Sequence, residues 1–209
     1  KDEAPWLDEN VISSGLPAAI SRELATATLV EFESEITGSK RADFLAEKYK
    51  KIKKNLRKNL EYGCSLGNMV LKPYVSNGQL FVDIIKGTNF FPVEYDSNEE
   101  CTAGIFVSRK IEGKYYYTRL EYHNLDIANR HYVIMNKAYM STTEETLGQE
   151  ISLSLVSEWK DIQEAVEIDN VEKPLFGYFR IPFANTIDPD SLLRTVCLFK
   201  SNKINRRSR

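Results

Sequence analysis

The sequence predicts an α+β fold in which N-terminal helices pack on an antiparallel, meander-like β-sheet. Three observations point there. Apolar residues recur at helical spacing as far as Leu60. From Tyr62 onward the period falls to two, in short runs rich in aromatic and β-branched residues and cut by glycine and asparagine turns. Strands and helices do not alternate along the chain, which separates this pattern from a βαβ sheet.

The first helix is predicted after Ser13, Ser14 and Gly15, where serine hydroxyls can cap free amides and Pro17 suits a first turn. Leu16, Ile20, Leu24 and Ala27 form its apolar stripe, with Glu23, Glu31 and Glu33 on the opposite edge. Gly38 breaks that pattern, and a second helix is predicted from about Arg41 to Leu60, with Leu45, Tyr49, Ile52, Leu56 and Leu60 on one face. Met69 to Val75 and Gln79 to Ile85 read as a hairpin, because Asn77-Gly78 supplies the positive φ angles of a tight turn. A second hairpin runs from Gly104 to His123 and turns at Glu112-Gly113-Lys114. In its return strand Tyr115, Tyr117, Arg119, Glu121 and His123 share one face, while Tyr116, Thr118, Leu120 and Tyr122 share the other. Tyr132 to Met140 extends the meander, and Thr142 to Gln149 is a polar connection. A short helix is predicted around Glu158 to Val166, and a final strand from Leu175 to Ile181, ended by Pro182.

Composition narrows the function classes. In 209 residues, 28 basic and 30 acidic side chains leave a net charge of -2, so the molecule as a whole exerts no long-range pull on nucleic acid or anionic lipid. Any DNA contact must be local. No apolar run is long enough to cross a bilayer, and Lys1 to Trp6 lacks the apolar core of a signal peptide, so the sequence reads as intracellular with no membrane partner. Cys64, Cys101 and Cys197 are odd in number and far apart, which fits neither a disulfide framework nor a metal clip; they read as free thiols. With His123 and His131 the only histidines, no metal or other cofactor is expected.

Four groups of residues bear on chemistry. Lys48, Lys50, Lys51, Lys53, Lys54, Arg57 and Lys58 form the densest charge cluster, and Lys50, Lys51, Lys54, Arg57 and Lys58 are the candidates for nucleic-acid contact. Lysines beside a buried stripe are usually the solvated face of a helix, and that reading is preferred. Glu121 and His123 lie two apart on one strand face, where a carboxylate can orient an imidazole for general-base work, but no nucleophile or oxyanion signature accompanies them, and a surface pair on the sheet is the preferred reading. Asp83, Glu94, Asp96, Glu99 and Glu100 carry carboxylates that magnesium would accept, at an irregular spacing that suits a solvated loop as well. Tyr115, Tyr116 and Tyr117 could stack on bases, although alternating aromatics in a sheet more often serve a core or a subunit interface. Gly63 and Gly67 lack the third glycine and the lysine of a phosphate loop, which sets aside a motor ATPase. From the residues alone two classes stay open: a single-stranded nucleic-acid binding module, and a metal-dependent hydrolase built on His123 and Glu121.

Several phrases together resemble the portal proteins of siphoviruses that infect Gram-positive bacteria. They are Gly63 to Gly67 followed by Leu71 to Val75, Asn89 to Val93, Tyr117 to His123, Ile134 to Tyr139, Leu147-Gly148, Glu158-Trp159, and Pro174 to Asn185. They keep the family's order and span most of the chain from Trp6 to Asp190. The resemblance implies a non-enzymatic structural subunit, the wing-side part of a cyclic homo-oligomer at one capsid vertex, through which double-stranded DNA is packaged and ejected. It implies as partners other portal subunits, terminase, the head-tail adaptor and capsid or scaffold proteins. It also implies location in the virion, or in the host cytoplasm before assembly, with a prophage as one possible source. The family has no catalytic residues to carry over.

The likeness ends near Asp190-Ser191. There the family continues into a long amphipathic helix towards stem and clip, whereas Leu192 to Arg209 forms a polar, basic tail without helical period. A set of synonymous codons for residues 194 to 209, read one base later, encodes an amphipathic helix of the kind the family places there. The tail is expected to be an out-of-frame extension, with a natural truncation or an appended tail as the alternatives; the stem and clip are expected to be missing, and the chain alone to be monomeric or weakly associated. The division predicted is 1–60 helical, 61–190 β-rich and wing-like, and 191–209 tail.

Overall fold

The structure is a computed structural model that describes residues 15–181. Ser13, Ser14, Pro182, Cys197 and the tail expected from residue 191 lie outside the described residues. The chain is α+β; among the described residues three α-helices come first and antiparallel strands after them. It divides into two compact units, one holding the helices up to Gly67 and the other spanning Asn68–Arg180.

In the helical unit, α1 (Leu16–Val30) starts at Gly15, whose φ of 65° suits a residue without a side chain, and Pro17 sits in its first turn. The buried positions of α1 are Ser21 and Ala25, not the expected stripe: Leu16 and Ile20 are exposed and Ala27 faces outward. Small residues let α1 approach α3 (Leu56–Leu66), which buries Leu60, Gly63 and Cys64. The single helix expected from Arg41 to Leu60 is divided into α2 (Ala42–Lys54) and α3. The break falls at Asn55, whose φ of −108° and ψ of 5° leave helical geometry. Asparagine is a weak helix former because its amide competes for backbone groups. The helical stretch then continues past Tyr62, where strands were expected, to a stop at Gly67 with φ 83°.

In the second unit, β1 (Asn68–Ser76) and β2 (Gln79–Lys86) form the expected hairpin, with Asn77 at φ 50° and Gly78 at φ 70°. β4 (Cys101–Glu112), β5 (Tyr115–Asp126) and β6 (His131–Ser141) form the expected meander, flanked by β3 (Phe90–Tyr95) and by β7 (Gln149–Ile151). The helix predicted around Glu158 to Val166 is absent. That stretch turns at Val156 to Ile162 and then extends as β8 (Ala165–Asp169) along β6. Asn136 holds it there: its amide N–H donates to Glu164 O at 2.7 Å and its Nδ2 to Gln163 O at 2.9 Å. β9 (Gly177–Arg180) pairs with β1, so the strands make two sheets, β2-β1-β9 and the larger one centred on β5.

The main core lies between those sheets and joins Val70, Phe90, Cys101, Phe106 and Phe176. Phe90 is its hub, with ring centroids 4.8 Å from Phe106 and 5.4 Å from Phe176. Gly104 is required beneath it, because a Cβ there would stand 2.4 Å from the Phe90 ring. A second cluster, Ala138, Leu153, Val156 and Trp159, fills the other end of the same sheet face.

Candidate functional site

The chemistry-bearing side chains converge between the two clusters, on the face of β5 that alternation assigns to Tyr115, Tyr117, Arg119, Glu121 and His123. Glu121 and His123 are buried there, with His123 Nε2 at 2.8 Å from Glu121 Oε1. The two residues do pair, but in the interior and not on the sheet surface as expected, because β1 and Phe106 cover this face, and the site is crowded. Lys72 of β1 places Nζ 2.5 Å from the same Oε1, and Arg119 Nη2 lies 3.1 Å from Oε2. Arg119 Nη1 donates to Asn136 Oδ1 at 3.1 Å, and its Nε has no partner. On the far side of the imidazole, Nδ1 meets the Tyr132 hydroxyl at 2.8 Å. Phe106 closes the site, with its ring 5.0 Å from that of His123 and 4.9 Å from Lys72 Nζ.

Protonation follows from these contacts. Burial raises the Glu121 pKa, but His123, Lys72 and Arg119 outweigh it and hold the carboxyl down to about 2. Glu121 is therefore an anion at any ordinary pH and accepts from His123 Nε2–H, while His123 Nδ1 shares a hydrogen bond with the Tyr132 hydroxyl. Burial pushes the Tyr132 pKa well above its usual value and keeps that hydroxyl protonated. A general base needs a ring nitrogen open to substrate, whereas both nitrogens of His123 are engaged within the fold. What the group does physically is clamp: one carboxylate ties β1 of the small sheet to β5 of the large one.

The other candidates are dispersed. Lys50, Lys51 and Lys54 are exposed on α2, and Arg57 and Lys58 are exposed on α3 beyond the break at Asn55. Lys51, Lys53 and Lys54 occupy the last turn of α2, where cations suit the helix dipole. Asp96 spends its carboxylate on a turn, accepting from the amides of Asn98 at 2.8 Å and Glu100 at 2.9 Å. Glu99 pairs with Arg180 at 2.7 Å. Among the described residues no three His, Cys, Asp or Glu side chains gather as a metal site. Tyr117 packs on the Trp159 cluster, and Tyr116 points to the opposite sheet face, so the three tyrosines offer no continuous platform. Burial raises the Cys101 pKa to about 11, away from thiolate chemistry.

The sequence alone does not single out Lys72, Tyr132 and Asn136. The available signal was weak: a lysine inside the apolar run from Val70 to Val75, and a tyrosine and an asparagine on one face of β6. No protein-family model matches the chain, and no curated protein matches it.

Proposed function

We propose that the chain is a structural subunit of a tailed-phage portal ring, namely its wing-side part, with DNA as cargo and neighbouring copies, terminase and adaptor as partners. The observation that carries this reading is the ordered series of family-like phrases from Gly63 to Asn185. Its support is where those phrases fall. Gly67 stops α3, Phe90 is the core hub, and Glu121 and His123 form the clamp. Gly148 has a φ of 78° with Met140 O where its Cβ would be, and Trp159 and Phe176 are buried. Phrases that fix packing, and not a cleft, suit a building block. Exposed apolar side chains such as Phe44, Leu45, Phe91 and Met135 suit a subunit that covers them with neighbours.

Immunogold electron microscopy with antibodies against this chain tests the proposal on particles of the phage that encodes it. Label at a single, tail-bearing vertex is expected. Label spread over the shell, or absent from the particles, would overturn it.

A further inference from the structure

Strand edges in the second unit are blunted, with β2 the exception: even β4 beyond Phe106, which β3 leaves uncovered, carries Arg109, Lys110 and Glu112, and β1 beyond Leu71, which β9 leaves uncovered, carries Pro73. An open edge invites another strand, so folded proteins shorten it, charge it, bulge it or place proline on it. β3 carries Pro92 and register shifts on both sides of Glu94. β7 has three residues and β9 four. β8 has five, with Glu167 and Asp169 exposed. β2 has eight residues, pairs with β1 alone in an unbroken register, and contains no proline and no bulge. Its charges are Asp83 and the terminal Lys86.

The turn decides which backbone groups are open. Ser76 and Gln79 close the two-residue turn and form its hydrogen-bonded pair. Such pairs alternate along an antiparallel ladder, so Gln79, Phe81, Asp83 and Ile85 bond to β1 while Leu80, Val82 and Ile84 aim their N–H and C=O groups outward.

We propose that this edge is the contact with a second copy of the chain, in which β2 pairs antiparallel with β2 across a two-fold axis. The other edges are too short, charged or bulged to supply the incoming strand, and β2 is complementary to itself. Outward residues must face outward residues, and this permits a register with Val82 opposite Val82 and Leu80 opposite Ile84. Phe81 then lies opposite Asp83, so no like charges meet. Sliding towards Lys86 would set Asp83 directly against Asp83, which disfavours that alternative. Leu80, Val82 and Ile84, each half-buried, extend as one apolar strip across the axis. A two-fold contact uses the same patch twice and closes on itself, so the inference is independent of the ring reading.

The test uses the full chain. Sedimentation velocity over a wide concentration range is expected to show a monomer–dimer equilibrium, and amide exchange at Leu80, Val82 and Ile84 to slow as the dimer fraction rises. Exchange at Phe81 and Asp83, already bonded to β1, should not change. Val82→Pro removes an outward N–H without touching a hairpin bond, so it should leave the circular dichroism intact and abolish the dimer. Val82→Lys, which brings two cations together at the axis, should do the same and serves if the proline variant fails to fold. A wild-type chain that stays monomeric throughout, or folded variants that dimerise as it does, would overturn the proposal.

Discussion

The two units spend their charges in opposite ways. The helical unit displays its cations: α2 has no buried residue, and Lys50, Lys51 and Lys54 stand in solvent. The sheet unit gathers two of its own, with Lys72 and Arg119 half-buried around the buried Glu121 carboxylate. The lesson concerns where charge matters. A dense run of lysines draws attention in a sequence but does little for stability, since solvated charges are screened. Scattered charges that strands bring together out of water carry far more, because each depends on the others.

Substitution can break that contrast. Glu121→Ala leaves Lys72 and Arg119, both half-buried, without their counter-ion and is expected to cost about 3 kcal/mol in urea unfolding. Lys51→Ala on α2 should stay within about 0.5 kcal/mol. Comparable losses at the two sites would abolish the distinction. Packing sharpens it at a smaller scale. Gly104→Ala forces the Phe90 ring aside and is expected to cost about 1–3 kcal/mol. Ala27→Leu, on an exposed position of α1, should change the unfolding free energy in urea by no more than about 0.5 kcal/mol. The smallest effect is a gain. Asn55 makes no side-chain cap bond, so Asn55→Ala should favour a helix continuous from α2 into α3, with about 0.5 kcal/mol of added stability and a stronger helical signal in circular dichroism.

Legibility followed the range of the forces. The hairpins at Asn77-Gly78 and Gly113-Lys114 were readable because a tight turn is decided by its own residues. The faces of β5 were readable because alternation is local. The stripe of large apolar residues on α1 lies a partial turn away from the buried face, because close approach to α3 selects the small Ser21 and Ala25. The segment from Glu158 to Val166 has a helix-compatible pattern, and nothing near it in sequence reveals that Asn136 will hold it extended. The clamp was half legible for the same reason. Arg119, Glu121 and His123 lie on one strand, but Lys72 and Tyr132 arrive through the packing of β1 and the register of β6.

Acid unfolding tests most directly whether Glu121 is a structural clamp. Its pKa is about 2 in the fold against an ordinary 4.5, so it contributes stability that is fully present above about pH 4.5 and lost as pH falls towards 2. That contribution is on the order of 3 kcal/mol. Urea unfolding of the wild type and of Glu121→Gln should therefore differ most near neutral pH and converge between pH 4.5 and 2. Two curves that stay parallel across that window, or that coincide at every pH, would contradict the account.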